Sequence, residues 1–139
     1  MMRSLLIYIF FILLPLNLAG QNLLGYKAGQ IEKYISRNRK ELVKDENSRN
    51  EYYEYLKYTD GTAGTSTYYF FLSDDGRCLR IKSMHVHAMK DVIEGELDSM
   101  YTRTGANRWS DRNKGIDAVI NLVSEEWFFT VTIEPDKKE

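Results

Sequence analysis

The chain has 139 residues, of which 19 are lysine or arginine and 20 are aspartate or glutamate, so its formal net charge is −1. This balance argues against nucleic acid as the partner, because binding to nucleic acid needs a basic surface that displaces counterions. The single cysteine, Cys78, excludes an internal disulfide. We expect it to be a buried thiol, since free cysteine behaves as a small hydrophobe.

The first twenty residues have the three parts of an export signal. Arg3 precedes an apolar run from Leu5 to Leu14, and an Ala-Gly pair ends the segment at Gly20. A secretory signal has an apolar stretch of roughly 7–15 residues before a small-residue cleavage site. We therefore predict cleavage before Gln21, a periplasmic or secreted product, and a single domain over residues 21–139.

The apolar run is also too short for a membrane anchor. About 20 apolar residues are needed to cross a bilayer, and Pro15 and Asn17 interrupt this stretch. A retained anchor is therefore the less favoured alternative. A bacterial lipoprotein would need cysteine where Gln21 stands, so the sequence predicts neither a lipid anchor nor a membrane span after cleavage.

Two segments have the periodicity of amphipathic helices, with apolar residues three and four positions apart. The first covers about Lys27–Asn38. The second begins near Met89 and carries its apolar face to Tyr101. We expect Gly105 to end this second helix, because glycine readily adopts the left-handed conformation found at helix ends.

Six segments have the composition or the alternation of strands, and turn sequences such as Asp-Gly separate them. They are Glu51–Thr59, Thr67–Ser73, Arg77–Val86, Asn107–Asp111, Ile116–Leu122 and Glu126–Glu134. A further short strand is possible at Glu41–Val43. Short connections make the strands antiparallel. The order helix, three strands, helix, three strands predicts an α+β fold with both helices on one face of the sheet.

Two helices cannot cover this predicted sheet completely. Six strands about 4.8 Å apart are roughly 29 Å wide, whereas two helices packed about 8–10 Å apart shield only some 20 Å. We place Leu79 on the helix side with the other aliphatic strand residues. The opposite side is rich in aromatic and basic residues, and it supplies the predicted binding residues Tyr53, Tyr55, Tyr69, Phe71, Arg80, Lys82 and Phe128.

An exposed apolar patch of several hundred Å² usually marks a contact surface. The aromatic face is therefore a candidate surface for a ligand or a partner. The alternative is that the sheet curls and buries these rings, which would make them part of a core.

His85 and His87 form the only candidate metal site that the sequence offers. They are separated by one residue, so their side chains lie on the same side of a strand end. With Asp91 or Cys78 as a third ligand, such a pair can bind Zn²⁺ or Cu²⁺. The alternative is a solvated pair at a strand-to-helix junction. No other cofactor is indicated.

Three segments resemble small exported proteins of Bacteroidota that have no assigned activity: Leu18–Asn22, Leu23–Gly25 and the terminal strand Glu126–Ile133. The helix-plus-three-strand units are also similar in outline to β-lactamase-inhibitor-like domains and to outer-membrane-assembly lipoprotein domains. That second resemblance implies protein binding through the sheet, as an analogy of fold.

Three functional hypotheses follow. The first is an exported, non-enzymatic binding module whose aromatic face contacts a protein or a glycan of the cell envelope. The second is a small envelope enzyme or metal-binding protein centred on His85 and His87. The third is a structural homodimer joined through the same aromatic face.

Overall fold

The computed structural model describes residues 22–46, 54–112 and 115–137. Within these residues the chain combines two helices with one antiparallel sheet of eight strands, which confirms the α+β class. The helices are α1 (Ala28–Asn38) and α2 (Lys90–Met100). The strands are β1 (Val43–Lys44), β2 (Glu54–Thr59), β3 (Ser66–Leu72), β4 (Cys78–Val86), β5 (Thr102–Gly105), β6 (Arg108–Asp111), β7 (Ala118–Ser124) and β8 (Phe128–Pro135).

The sheet joins two similar halves. Its strand order is β1-β2-β3-β4-β8-β7-β6-β5, and every pair is antiparallel. Each half is therefore one helix followed by a four-stranded meander, and the halves meet where β4 pairs with β8. The sequence predicts six strands, three in each half, whereas each half of the observed sheet has four.

The two additional strands lie at the ends of the sheet. β1 overlaps the short segment that was possible at Glu41–Val43, whereas β5 was not predicted. The expectation that Gly105 would end the second helix is wrong. That helix ends at Met100 because Tyr101 is already extended, with φ −128° and ψ 171°, and Gly105 instead ends β5.

Both helices bury a narrow apolar stripe. Ile31 and Ile35 of α1 are buried, as are Ile93 and Leu97 of α2. In each helix the pair is four residues apart, which places both side chains on one face. α1 begins after Lys27, whose amide donates a hydrogen bond to the Gln30 side chain at 2.9 Å.

One buried cluster contains these helix residues and every second residue of most strands. We call the strand residues on this side the inner face. They include Leu56, Tyr58, Phe70, Ile81, Trp109, Ala118, Ile120, Leu122, Phe129 and Val131. The alternating residues of the same strands point the other way, and we call them the outer face. The outer residues of the central strands are half-buried or exposed, with Thr130 as the one buried exception among those described.

The segment before α1 belongs to the core. Leu23 and Leu24 are buried. The Asn22 amide donates to a buried Asp111 oxygen at 2.6 Å. The Gly25 amide donates to the carbonyl of Cys78 at 2.8 Å, which attaches this segment to the first residue of β4. Cys78 is buried, as predicted, and burial raises the pKa of its thiol to about 11.

Leu79 corrects the predicted assignment of faces. It was placed on the helix side, but 53% of its surface is exposed. The register between β3 and β4 shifts at this point: Phe71 pairs with Arg80 and Leu72 pairs with Cys78, which leaves Leu79 as an extra residue. Such a β-bulge breaks the alternation of side chains, and it turns Leu79 towards the outer face.

Candidate binding face

Three aromatic rings form a cluster at one end of the outer face. Tyr55 of β2 lies 5.8 Å from Tyr69 and 6.0 Å from Phe71 of β3, measured between ring centroids. Tyr69 and Phe71 are stacked at 6.2 Å. The antiparallel register brings them together, because Tyr55 pairs directly with Phe71 and Tyr69 is two residues from Phe71 on the same side of β3.

Cationic side chains flank these rings. The Arg80 guanidinium carbon lies 4.6 Å from the centroid of the Phe71 ring, and the Lys57 ammonium lies 5.7 Å from that of Tyr69. Lys82 is the cross-strand neighbour of Tyr69 on β4. Cations over aromatic faces attract the ring electrons, so each contact holds a basic side chain against the cluster.

The cluster borders a shallow groove of about 670 Å³. The groove is lined by Glu54, Tyr55, Tyr69, Phe71, Leu72, Leu79 and Arg80. The bulge at Leu79 therefore adds an exposed aliphatic side chain to an aromatic wall. The result is an apolar depression with a guanidinium at its edge.

The structure brings together most of the predicted binding residues. Tyr55, Tyr69 and Phe71 form the aromatic cluster, Arg80 lies against the Phe71 ring, and Lys82 is the cross-strand neighbour of Tyr69. Tyr53 lies outside the described residues. Sequence reasoning did not select Lys57 or Leu79. The alternation of β2 places Lys57 on the same side as Tyr55, two residues away, so Lys57 was predictable. No sequence signal indicates the bulge at Leu79.

Phe128 lies away from the cluster. It pairs with Val86, six residues along β4 from Arg80, which corresponds to roughly 20 Å along a strand. Val86 is exposed, and Phe128 is half-buried on the same side of the sheet. Phe128 therefore belongs to the outer face but not to the groove.

His85 is buried in the inner face with only 2% of its surface exposed. Its Nδ1 atom is 2.7 Å from the Ser66 hydroxyl, and its Nε2 atom is 2.8 Å from the Ser83 hydroxyl. Burial, and secondly the Arg39 guanidinium, lower the pKa of His85 to about 4. Its imidazole is therefore neutral at pH 7, with both nitrogens engaged by serines.

His87 has a different environment from His85. It is exposed, and its Nε2 atom lies 2.8 Å from the backbone carbonyl oxygen of Glu125. Both imidazoles contact the ring of Phe129, at centroid distances of 5.1 and 6.3 Å. Neither Asp91 nor Cys78 joins them: within residues 22–46, 54–112 and 115–137, no three His, Cys, Asp or Glu side chains are grouped as metal ligands.

A second concave feature, partly open to solvent, is lined by residues of both helices and by residues of the inner face. This interior cavity has a volume of about 120 Å³. Ile35, Ile93 and Leu97 line it from the helices, and Phe70, Ile81 and Val131 line it from the sheet. Its polar lining includes Arg39, Tyr68, Ser83, His85 and Glu96.

Comparisons with known proteins give no relative for this chain: no protein-family model, no curated protein and no solved structure matches it. Among the helices of the described residues, none is both long enough and apolar enough to span a bilayer. The function is therefore inferred from the geometry of the two concave features.

Proposed function

We propose that this protein is an exported, non-enzymatic binding module, and that the groove beside Tyr55, Tyr69 and Phe71 binds an acidic, apolar segment of a partner protein. The observation that carries the proposal is the half-exposed aromatic cluster with basic side chains resting on it. Tyr, Phe and Arg are enriched where protein interfaces bind most strongly.

The charge of the outer face favours an acidic partner. Its outward-pointing strand residues include Lys57, Arg80, Lys82 and Arg108. The acidic groups near them include Glu134, Glu54 at the groove, and Asp45, which lies 3.4 Å from Lys57. Arg80 and Glu134 are 3.8 Å apart, and both side chains are nearly half exposed. Exposed pairs of this kind contribute little stability, so a partner carboxylate can replace Glu134 at small cost.

The shape of the groove favours a polypeptide over a glycan. The Tyr55 ring is inclined by 58° and 52° to the two rings beside it, so the three rings do not form one flat platform for a sugar ring. Leu79 and Leu72 add aliphatic surface to the groove. An aliphatic or aromatic side chain would be buried there without loss of hydrogen bonds, whereas sugar hydroxyls would lose theirs.

We infer that both helices cover the inner face and leave the outer face open. The interior cavity supports this inference, because residues of α1 and α2 line it and every strand residue in its lining belongs to the inner face. Eight strands make a sheet roughly 38 Å wide at the usual spacing of about 4.8 Å. On this inference the outer cluster lies on the side of the sheet that faces away from α1 and α2.

A peptide selection tests the proposed function. A random peptide library would be selected for binding to the purified protein. Mass spectrometry of the same protein should show an N-terminus at Gln21 if the export signal is removed. We expect the enriched peptides to combine Asp or Glu with aromatic or aliphatic residues. Phe71→Ser and Arg80→Glu should each weaken their binding at least about tenfold, the usual effect of removing a strong interface contact.

Trp127→Ser is the matched control. Trp127 is 79% exposed in the β7–β8 turn, so this change removes an exposed aromatic side chain far from the groove and should leave binding intact. Failure to enrich any peptide, or equal binding by Phe71→Ser, would contradict the proposal. Enrichment on a neutral-glycan array would point to a glycan, and a dimer in light scattering that Phe71→Ser dissociates would point to a homodimer.

A further inference from the structure

We infer that the interior cavity is a second binding site, and that it takes a short-chain aliphatic carboxylate whose charged end meets Arg39. The cavity lies on the inner face, away from the groove that carries the proposed function. Its test therefore stands or fails independently of that function.

The cavity has the size of a small ligand. Apolar cavities of about 150 Å³ accept a six-carbon molecule such as benzene, and this one measures about 120 Å³. Apolar side chains from both helices and from β3, β4 and β8 supply most of its lining. An aliphatic chain of about four to six carbons would therefore fill it, in keeping with that comparison.

The polar groups at the base of the cavity are already bonded to one another. Both nitrogens of His85 are engaged by serine hydroxyls, one of which, Ser83, also lines the cavity. Among the described residues, no buried side-chain nitrogen or oxygen lacks a hydrogen-bond partner. The surface that lines the cavity is mainly apolar, so the cavity favours an alkyl chain over solvent.

Arg39 supplies the polar end of the site. It follows α1 and lines the cavity with 36% of its side chain exposed, so it lies where the cavity approaches solvent. Its Nε atom donates to Glu41 at 2.6 Å and its Nη2 atom donates to the Tyr68 hydroxyl at 3.2 Å. A guanidinium has five N–H groups, so donors remain for a carboxylate.

Glu96 of α2 also lines the cavity and is exposed. Its carboxylate would repel an anionic ligand bound at Arg39. Removing the charge of Arg39 should therefore lower the affinity for an anionic ligand, and removing the charge of Glu96 should raise it. General apolar binding would show neither change.

A titration followed by ¹H–¹⁵N NMR tests the site. The whole domain would be titrated with butanoate, hexanoate and decanoate at millimolar concentrations, and with butanamide as the uncharged match for butanoate. We expect saturable shifts in α1, α2 and β4, weaker binding of butanamide, and no gain from hexanoate to decanoate. Arg39→Gln should weaken hexanoate binding about tenfold, and Glu96→Gln should strengthen it severalfold.

The outer-face variant Phe71→Ser is the control and should bind hexanoate as the unmodified protein does. The inference is overturned if no carboxylate gives saturable shifts, if butanamide binds as well as butanoate, or if affinity rises continuously to decanoate. The ligand series and Glu96→Gln keep the test decisive even if Arg39→Gln fails to fold.

Discussion

His85 shows how a polar residue is accommodated in this core. Its ring stacks on Phe129 at 5.1 Å and packs edge-on against Tyr68 at 5.5 Å. Ser66 and Ser83 satisfy its two nitrogens. This arrangement suits a neutral imidazole, because a proton on the ring would have to stay buried near the charged Arg39.

The low pKa of His85 predicts a loss of stability in mild acid. In the unfolded chain the imidazole takes up a proton as the pH falls through about 6.5, whereas the folded protein does so only near 4. The unfolded state therefore binds more protons in this interval, and stability falls with pH. We expect a loss on the order of 2–3 kcal/mol between pH 7 and pH 4 from this residue.

Urea unfolding at a series of pH values measures this effect. His85→Gln should remove most of the loss between pH 7 and pH 4, because no imidazole remains to be protonated there. His87→Gln is the matched control, because it makes the same substitution at the other histidine, which is exposed. An unchanged pH profile in His85→Gln would contradict the assignment.

The alternation of side chains along β4 indicates the burial of His85. Ile81, Ser83 and His85 alternate along β4, so an inward-pointing Ile81 requires an inward-pointing His85. The spacing of His85 and His87 suggests a metal pair, but His85 is buried and bonded to two serines whereas His87 is exposed. Arg39 carried no comparable signal, since a basic residue after a helix usually remains in solvent and its contact with Tyr68 depends on tertiary packing.

At the scale of single elements, the β3–β4 hairpin depends on one glycine. Gly76 has a φ of +80°, and its amide donates to the carbonyl of Ser73 at 2.9 Å. This hairpin sets the register that leads to the bulge at Leu79. The turn sequence Asp-Asp-Gly predicted the hairpin, but it could not predict the bulge, which arises from how β4 pairs with β3.

Two glycine substitutions of opposite expected sign test this account. Gly76→Ala should lower the free energy of unfolding by about 1–2 kcal/mol, because an L-residue is strained at this φ. Gly95→Ala should raise it by about 0.5–1 kcal/mol, because Gly95 is exposed in α2 and an added methyl group meets no atom within 4 Å. Equal effects in thermal unfolding would show that the hairpin does not need this conformation.

β5 was missed for a physical reason. All four of its residues, Thr102–Gly105, are exposed, so it has no apolar alternation to detect. It forms because it pairs with β6 and because Arg103 stacks over the Trp109 ring at 4.5 Å. Arg103 also binds Asp98 of α2 at 2.9 Å, which lowers the pKa of that carboxyl. These contacts are tertiary and leave no local pattern.

At the scale of the whole molecule, the sheet is wider than predicted. The additional strands β1 and β5 lie at its two ends, so they increase the area that the helices would have to cover. Two helices can therefore shield a smaller fraction of eight strands than of six. Among the described residues, the outer face of the central strands is half-buried or exposed at every position except Thr130.

The candidate site was predictable in part. Tyr55, Tyr69 and Phe71 could be identified because alternation assigns them to one side and hairpin register brings them together. Phe128 follows the same alternation, but its distance from the cluster depends on how β8 pairs with β4. Pairing between strands that are distant in sequence cannot be derived from local periodicity.

The most direct test compares two adjacent phenylalanines of β3. Phe70 is buried at 4% exposure in the inner face, and Phe71 lies half-buried in the outer face. We predict from urea unfolding that Phe70→Ala costs about 3–5 kcal/mol, as for a core phenylalanine, and that Phe71→Ala costs about 1 kcal/mol, as for a partly exposed aromatic pair. Equal losses for the two variants would show that the outer rings are a second core, and would contradict the binding face.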